Sequence, residues 1–253
     1  MIAARDLAPS QLDSLLGRTS PVLKLGIALG WLIGLATTGA WAPPIVIASV
    51  AVLAALILGR VPASDLVRAV APLWLAAAGL AFFNSVFGVA NADPASTVAV
   101  ALGPLRVTAE AIDAGVGLGL RVVAIGAAGA VFALTTDSTR LVDSLVQQAR
   151  VPERFAYGAL AAYGALPRFG EDLANLRAAR RMRGLRGSWH PRILVGLLVL
   201  AIRHGDRVAL AMDARAFGSG PRSRYRDVRW GVLDLVVGMG AFAILVGALV
   251  TGR

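Results

Sequence analysis

The sequence predicts an all-α integral membrane protein with about five transmembrane helices, four to six being compatible with it, and a cytosolic domain of amphipathic helices. Three observations carry that expectation. Hydrophobic residues make up 57% of the 253 residues and charged ones 16%, with a mean hydropathy of +0.70, whereas soluble domains hold about 25% charge. Lipid is therefore the solvent that suits most of the chain. Apolar runs approaching the length of a span recur over residues 22–134 and again over 230–250. Finally, the net charge of +10 is concentrated, because residues 135–229 hold 17 arginines against eight acidic residues. The expected layout is a leader over 1–21, four spans within 22–134, a basic cytosolic region over 135–229, and a last span with the C-terminus over 230–253.

The opening residues 1–21, MIAARDLAPSQLDSLLGRTSP, mix arginines and aspartates without an apolar core or a cleavage site. They read as a cytoplasmic leader with a short amphipathic helix and not as a signal peptide. Residues 22–40 form the first span, with Trp31 inside it, Trp41 at the far interface and Lys24 close enough to its start to snorkel. Pro43-Pro44 predicts a tight turn before a shorter apolar run over 45–58, which spans with little tilt or extends through Pro44. Residues 61–68, with Pro62, Asp65 and Arg68, read as a polar connection. The third span, 69–89, carries Trp74 and the cluster Phe82, Phe83 and Phe87. Asn84 within it reads as a helix–helix hydrogen bond rather than part of a transport path.

Residues 90–113 read as a loop containing the turn dipeptides Asp93-Pro94 and Gly103-Pro104, in which 98–102 is a short strand-like or irregular piece and 105–108 its candidate partner. The fourth span, 114–134, is rich in glycine and alanine, side chains that let helix backbones pack closely in a membrane. Arg121 inside it predicts snorkelling, or an internal pair with Asp113 or another loop acid. Charge sets the orientation. With the N-terminus inside, Arg5, Arg18, Lys24, Arg60, Arg68 and the basic region are cytoplasmic, and the 90–113 loop is outside with Arg106 against three acids. The last span, 230–250, then starts inside, with Asp234 paired or at the interface.

Within the basic region, Thr136-Asp137 supplies a cap ahead of Leu141, Val142, Leu145 and Val146, whose spacing is helical. Asp137 and Asp143 are expected to face water. Val151-Pro152 ends that helix and starts the next. Residues 155–166 and 193–202 are too short to span alone and read as half-buried helices. From Leu173 a helix places Leu173, Leu176 and Arg180 on one side, and Gly184 and Gly187 loosen or stop it. A second helix, 204–217, puts Val208, Ala211 and Met212 on an apolar stripe and is stopped by Gly218-Ser219-Gly220-Pro221.

Several classes of chemistry find no support. The chain holds no cysteine, so disulfides, thiolate metal sites and thiol nucleophiles are excluded. It has no GxxxxGK[ST], HExxH or GxSxG motif. His190 stands before Pro191 at a helix start and reads as structural, and neither it nor His204 has acids at ligand spacing. Glu171-Asp172 and Asp206 with Asp213 do not make the acid cluster that a metal-dependent membrane enzyme needs. No catalytic residue, metal ligand or cofactor site is expected. A nucleic-acid binder would interleave aromatic residues with its arginines, which this region does not. A stand-alone transporter or channel would line its spans with polar groups, and these offer little besides Asn84 and Arg121.

Two short signatures repeat, Met182-Arg183-Gly184 and Ala214-Arg215-Ala216, each at the end of a helix-like run, their arginines 32 residues apart. Most of the region's arginines read as solvated charges or contacts to anionic lipid. Arg183 and Arg215 stand apart because they recur in matching contexts, and a guanidinium makes several directed bonds to carboxylates or carbonyls in a partner's cleft.

The motifs Leu134-Thr135-Thr136 with LVDSLVQQARVP, RFGEDLANLRAARRMRG, ALAMDARAFG and the opening GRTSPVLKLG together resemble the transmembrane T component of energy-coupling factor transporters, over roughly residues 15–250. The resemblance implies a membrane bundle with cytosolic coupling helices whose two motif arginines insert into grooves of two ATP-binding-cassette ATPase subunits. By that likeness Arg183 and Arg215 are the anchors, flanked by Met182, Gly184, Ala214 and Ala216. Met182 stands where alanine is usual and Ala216 where glycine is usual. The likeness further implies a non-catalytic subunit in a bacterial or archaeal cell membrane, with ATP bound by the partners. ATP-driven motion would pass to a separate membrane substrate-binding (S) subunit carrying a vitamin, a vitamin precursor or a metal ion.

Overall fold

The computed structural model describes residues 11, 13–92, 96–102, 105–185, 187, 190–220 and 226–252. Most of the leader, both turn dipeptides Asp93-Pro94 and Gly103-Pro104, and Pro221 lie outside them. The described residues divide into two units, one made of 11–137 with 229–252 and the other of 138–228.

The first unit is a bundle. A four-residue helix, α1 (Leu15–Arg18), is capped by Ser14, whose hydroxyl oxygen accepts from the Gly17 amide at 2.9 Å. Then come α2 (Pro21–Ala36), α3 (Ala42–Ile57), α4 (Ala63–Phe87), α5 (Ala109–Thr135) and, after the second unit, α10 (Val232–Thr251). α5 is the centre, packed against α4, α3 and α2, while α10 lies on α3 and α2. Buried Leu35, Ile47, Ala51, Ala55, Ala124 and Ala127 form the heart of the core. Small residues permit the closest contact: a Cβ at Gly115 would lie 2.6 Å from the Ala81 carbonyl oxygen, and one at Gly119 2.9 Å from that of Ala77. The indole N–H of Trp31, buried in α2, donates to the Ala241 carbonyl of α10 at 3.1 Å. An unpaired buried donor would cost about 1–3 kcal/mol, so this bond fixes how the first and last apolar helices meet.

Three helical stretches are long and apolar enough to cross a membrane, 63–92, 109–135 and 232–251. The other two apolar helices, α2 and α3, have 16 residues each, about 24 Å against a hydrocarbon core of about 30 Å. The chain is an all-α membrane protein, and among the described residues its five apolar helices divide into three full-length ones and a shorter pair.

Several local expectations change. Pro43 and Pro44 do not make the turn; they occupy the first turn of α3, where a missing N–H costs nothing, and the chain reverses just before Ala42. Asp65 and Arg68 belong to α4, which begins at Ala63. Asp113 lies in α5 rather than in the loop, because Thr108 caps that helix by accepting from the Ala111 amide at 3.3 Å. It does not pair with Arg121, whose Nε is buried without a hydrogen-bond partner among the described residues. The 98–102 and 105–108 segments do pair, as antiparallel β1 (Val98–Leu102) and β2 (Leu105–Thr108). The asparagine that staples this corner is Asn91, not Asn84. Its Nδ2 donates to the Ser85 and Val86 carbonyls at 2.8 and 3.0 Å, and its Oδ1 accepts from the Thr108 amide and hydroxyl at 2.8 and 3.0 Å. Lys24 does not snorkel. It is 6% exposed, and its Nζ donates to the carbonyls of Leu16 (3.0 Å) and Thr135 (2.7 Å).

The second unit holds α6 (Ser138–Gln147), α7 (Glu153–Gly164), α8 (Leu166–Met182) and α9 (Pro191–Ala214). Asp143 does not face water; it is 9% exposed and accepts from the Tyr157 hydroxyl at 2.8 Å, joining α6 to α7. The two segments expected as separate helices, 193–202 and 204–217, are one 24-residue helix up to Ala214. Nothing between them breaks it, since Gly205 alone weakens a helix by only about 1 kcal/mol. His190 caps this helix, its Nδ1 accepting from the Arg192 amide at 3.1 Å. α8 packs against α9, with Leu176 so near that a Cβ at Gly196 would lie 3.3 Å from its Cδ2.

Candidate partner-docking site

The two arginine signatures close the two longest helices of the 138–228 unit. α8 ends at Met182 and α9 at Ala214, so Arg183 and Arg215 are each the residue that caps the helix end. Their backbones nearly coincide, φ −87° and ψ 12° for Arg183, φ −94° and ψ 15° for Arg215.

The following residue then turns left-handed, at φ +70° for Gly184 and +54° for Ala216. Hydrogen bonds match one for one. The Gly184 amide donates to the Arg181 carbonyl at 3.0 Å and the Leu185 amide to Arg180 at 3.2 Å; the Ala216 amide donates to Asp213 at 2.9 Å and the Phe217 amide to Met212 at 3.0 Å. This double closure is the Schellman motif, which satisfies carbonyls that a helix end otherwise leaves open.

Glycine takes the left-handed turn freely, whereas alanine carries a penalty of roughly 1–2 kcal/mol. Ala216 nevertheless adopts it. An alanine at this position therefore alters the energy of the second helix end and leaves its shape alone.

Arg183 and Arg215 are both exposed, as are Met182, Gly184, Ala214 and Ala216; Met182 reaches 89%. Each arginine stands at the negative end of a helix dipole, which favours a cation there. The backbone thus presents two exposed arginines from two helix ends in the same local frame, each with a guanidinium suited to a planar acceptor such as a carboxylate.

The ends differ in what braces them. Beyond the second, the Phe217 ring meets Tyr157 of α7 edge to face, with centroids 6.3 Å apart. The Arg154 guanidinium of α7 donates to the Gly218 carbonyl at 3.3 Å. Tyr157 is in turn fixed by buried Asp143. Beyond the first, Leu185 is 47% exposed. Sequence reasoning did not find Tyr157, Arg154 or Phe217. Only Phe217 leaves a readable trace, as an apolar residue two places past the cap, where this closure favours an apolar contact.

Comparisons place these features in a family. The model of the family CbiQ, described as "Cobalt transport protein", matches residues 14–225, a span that includes both arginine helix ends. The energy-coupling factor transporter transmembrane protein EcfT of Heliobacterium modesticaldum is 26% identical over 219 residues, covering 80% of each chain. Its namesake from Acidaminococcus fermentans is 27% identical over 206 residues, 75% of each chain. The one from Listeria innocua is 28% identical over 171 residues, 60% of this chain and 64% of that protein. Most of this sequence, from α1 through both helix ends, matches the family model, and the chain belongs to the CbiQ family, the transmembrane components of energy-coupling factor transporters.

Proposed function

We propose that this chain is the coupling subunit of an ATP-driven importer, that Arg183 and Arg215 each enter a groove of one ATP-binding-cassette subunit, and that Met182, Gly184, Ala214 and Ala216 shape those contacts. The observation that carries this reading is the matched pair of helix ends, since two equivalent plugs suit two equivalent sockets in a dimeric ATPase. Closure of the ATPase dimer moves both helix ends together, and the helices behind them pass the movement on. ATP is bound by those partners, and the chain performs no catalysis of its own.

The moved object is a separate membrane subunit that binds the cargo. The apolar stripe Leu194, Leu198 and Ile202 on α9, exposed at 48%, 60% and 55%, supports that partner, because an amphipathic helix with an open apolar face is a docking element for an apolar surface. In this arrangement the chain crosses a bacterial or archaeal cell membrane with its N-terminus and the 138–228 unit in the cytoplasm, the side favoured by 17 arginines over residues 135–229. The cargo is a vitamin, a vitamin precursor or a metal ion, chosen by the partner.

The test is purification in mild detergent of the chain co-expressed with the ATPase subunits encoded in its host, followed by reconstitution. Wild type should bring down two ATPase subunits and, reconstituted with them and with the substrate-binding membrane subunit of its host, support ATP-dependent uptake from a panel of labelled cobalt, nickel and vitamins. Arg183→Ala with Arg215→Ala should lose both. Unchanged recovery and uptake in the double variant would remove the docking assignment.

A further inference from the structure

Five buried polar residues among those described in the bundle unit, Thr19, Ser20, Lys24, Thr135 and Asp234, lie in one hydrogen-bonded group of side chains and backbone. Thr19 donates to the Leu16 carbonyl at 2.8 Å, the Ser20 amide donates to Asp234 Oδ1 at 2.7 Å, and Lys24 reaches Leu16 and Thr135. Lys24 and Asp234 are each 6% exposed, Thr135 2% and Ser20 3%. Taking an ammonium or a carboxylate out of water costs several kcal/mol per ion before its new bonds are counted. What these bonds hold is specific. Thr135 ends α5, three residues before the 138–228 unit begins, and Asp234 lies six residues after that unit ends. Asp234 Oδ2 also accepts from the Gly231 amide at 2.9 Å. The segment from Leu16 to Lys24 therefore grips both the point where the chain leaves the bundle and the point where it returns.

The 138–228 unit holds the same two chain segments together on its own side. Gln147, the last residue of α6, donates from Nε2 to the Arg226 carbonyl at 2.8 Å and accepts at Oε1 from the Val228 amide at 2.9 Å. One side-chain amide thus imitates the edge of a neighbouring β-strand and ties the returning segment to the entering helix. The intervening segments are short: residues 136–137 and 229–231 extend at most about 7 and 11 Å.

We propose that these two segments act as one clamped double strap and not as two independent hinges. Gln147 on one side and the Lys24, Ser20 and Asp234 group on the other are positioning residues that keep slack out of the link. Motion of the 138–228 unit then reaches α5 and α10 together instead of being absorbed by bending at either crossing. The transmission part of this inference rests on the coupling function proposed above, whereas the clamping part does not.

The experiment uses the full chain in nanodiscs with its co-purified ATPases, as wild type, Gln147→Leu, Gln147→Glu and Lys24→Met. Gln147 lies outside the bundle, so its variants keep the test open if Lys24→Met fails to fold. Trypsin cleavage after exposed Arg229 should be at least about fivefold faster in Gln147→Leu, with Gln147→Glu between, because glutamate keeps the acceptor and loses the donor. Because the chain has no cysteine, spin labels at Ile33→Cys and Leu75→Cys report bundle motion. Their ATP-induced distance change should shrink at least about threefold in Gln147→Leu while ATP hydrolysis stays within twofold of wild type. Cleavage within twofold of wild type overturns the strap outright. Faster cleavage with an undiminished distance change overturns its role in transmission. If wild type recovers no ATPase, the coupling function falls, and the cleavage rates alone decide the strap.

Discussion

Two helix ends in this chain share a backbone and differ in nearly everything around it. At the end of α8 the left-handed position is Gly184 and the next residue, Leu185, is half exposed; at the end of α9 the position is Ala216 and Phe217 is seated on Tyr157. The first end reaches its shape because glycine makes it cheap. The second reaches the same shape because its surroundings, Tyr157 and the Arg154 bond to Gly218, hold a strained residue in place. Local residue choice and tertiary support are therefore alternative ways to secure one helix-end geometry.

The largest effect should come from removing what the two ends have in common. Arg183→Ala and Arg215→Ala each delete a charged donor whose hydrogen bonds are typically worth about 1.5–3 kcal/mol, so each should weaken ATPase binding by about 10- to 150-fold. Titration of the ATPase dimer against the nanodisc-held chain, followed by fluorescence anisotropy, measures it. Similar losses for the two arginines support equivalent sockets; a loss at only one breaks the comparison.

Next in size is the brace that only the second end possesses. Tyr157→Phe keeps the ring against Phe217 but takes away the hydroxyl that meets buried Asp143 at 2.8 Å. A buried acceptor left without that partner costs about 1–3 kcal/mol. Hydrogen exchange should accelerate by about five- to 100-fold at the Ala216 and Phe217 amides and stay unchanged at Gly184 and Leu185. Equal acceleration at both ends would mean the brace is shared.

The contrast also separates what could be read from the residues from what could not. The helix ends were legible because glycine, arginine and a stop in apolar periodicity sit close together in sequence. The bundle's five apolar helices were legible for the same local reason. The brace was not, because Asp143, Tyr157 and Phe217 are far apart along the chain and nothing in their spacing links them. Lys24 differs for a related cause: its sequence neighbourhood suggests a route to water, whereas the Leu16 carbonyl and the Thr135 carbonyl, the latter 111 residues away, help make its burial tolerable. The β1–β2 pairing is legible from the Gly103-Pro104 break between two short segments, whereas Asn91, which fastens it, is not, because its partners Ser85, Val86 and Thr108 are set by the fold.

A smaller change makes the first end resemble the second. Gly184→Ala introduces a Cβ that meets no other atom within 4 Å, so its whole cost is the left-handed backbone, roughly 1–2 kcal/mol. Lacking a brace, the end of α8 should fray, with exchange at Leu185 rising about five- to 30-fold and ATPase affinity falling by less than the loss from Arg183→Ala. An affinity loss as large as that of Arg183→Ala would mean that the turn, and not the guanidinium, is what the socket reads.

The smallest effect, and the sharpest probe of the comparison, is the reverse substitution. Ala216→Gly relieves the left-handed penalty but also gives the unfolded chain more freedom to lose, so the net gain is limited to about 1 kcal/mol. If Tyr157 and Arg154 already hold the turn fully formed, the variant leaves ATPase affinity unchanged and slows exchange at Phe217 by no more than about fivefold. In the Tyr157→Phe background the same substitution should recover most of the protection lost, because glycine then does by local preference what the brace no longer does. A rescue of that kind identifies bracing and glycine as interchangeable means to one helix-end geometry, and its absence would show that the α7 contacts act on something other than the turn at Ala216.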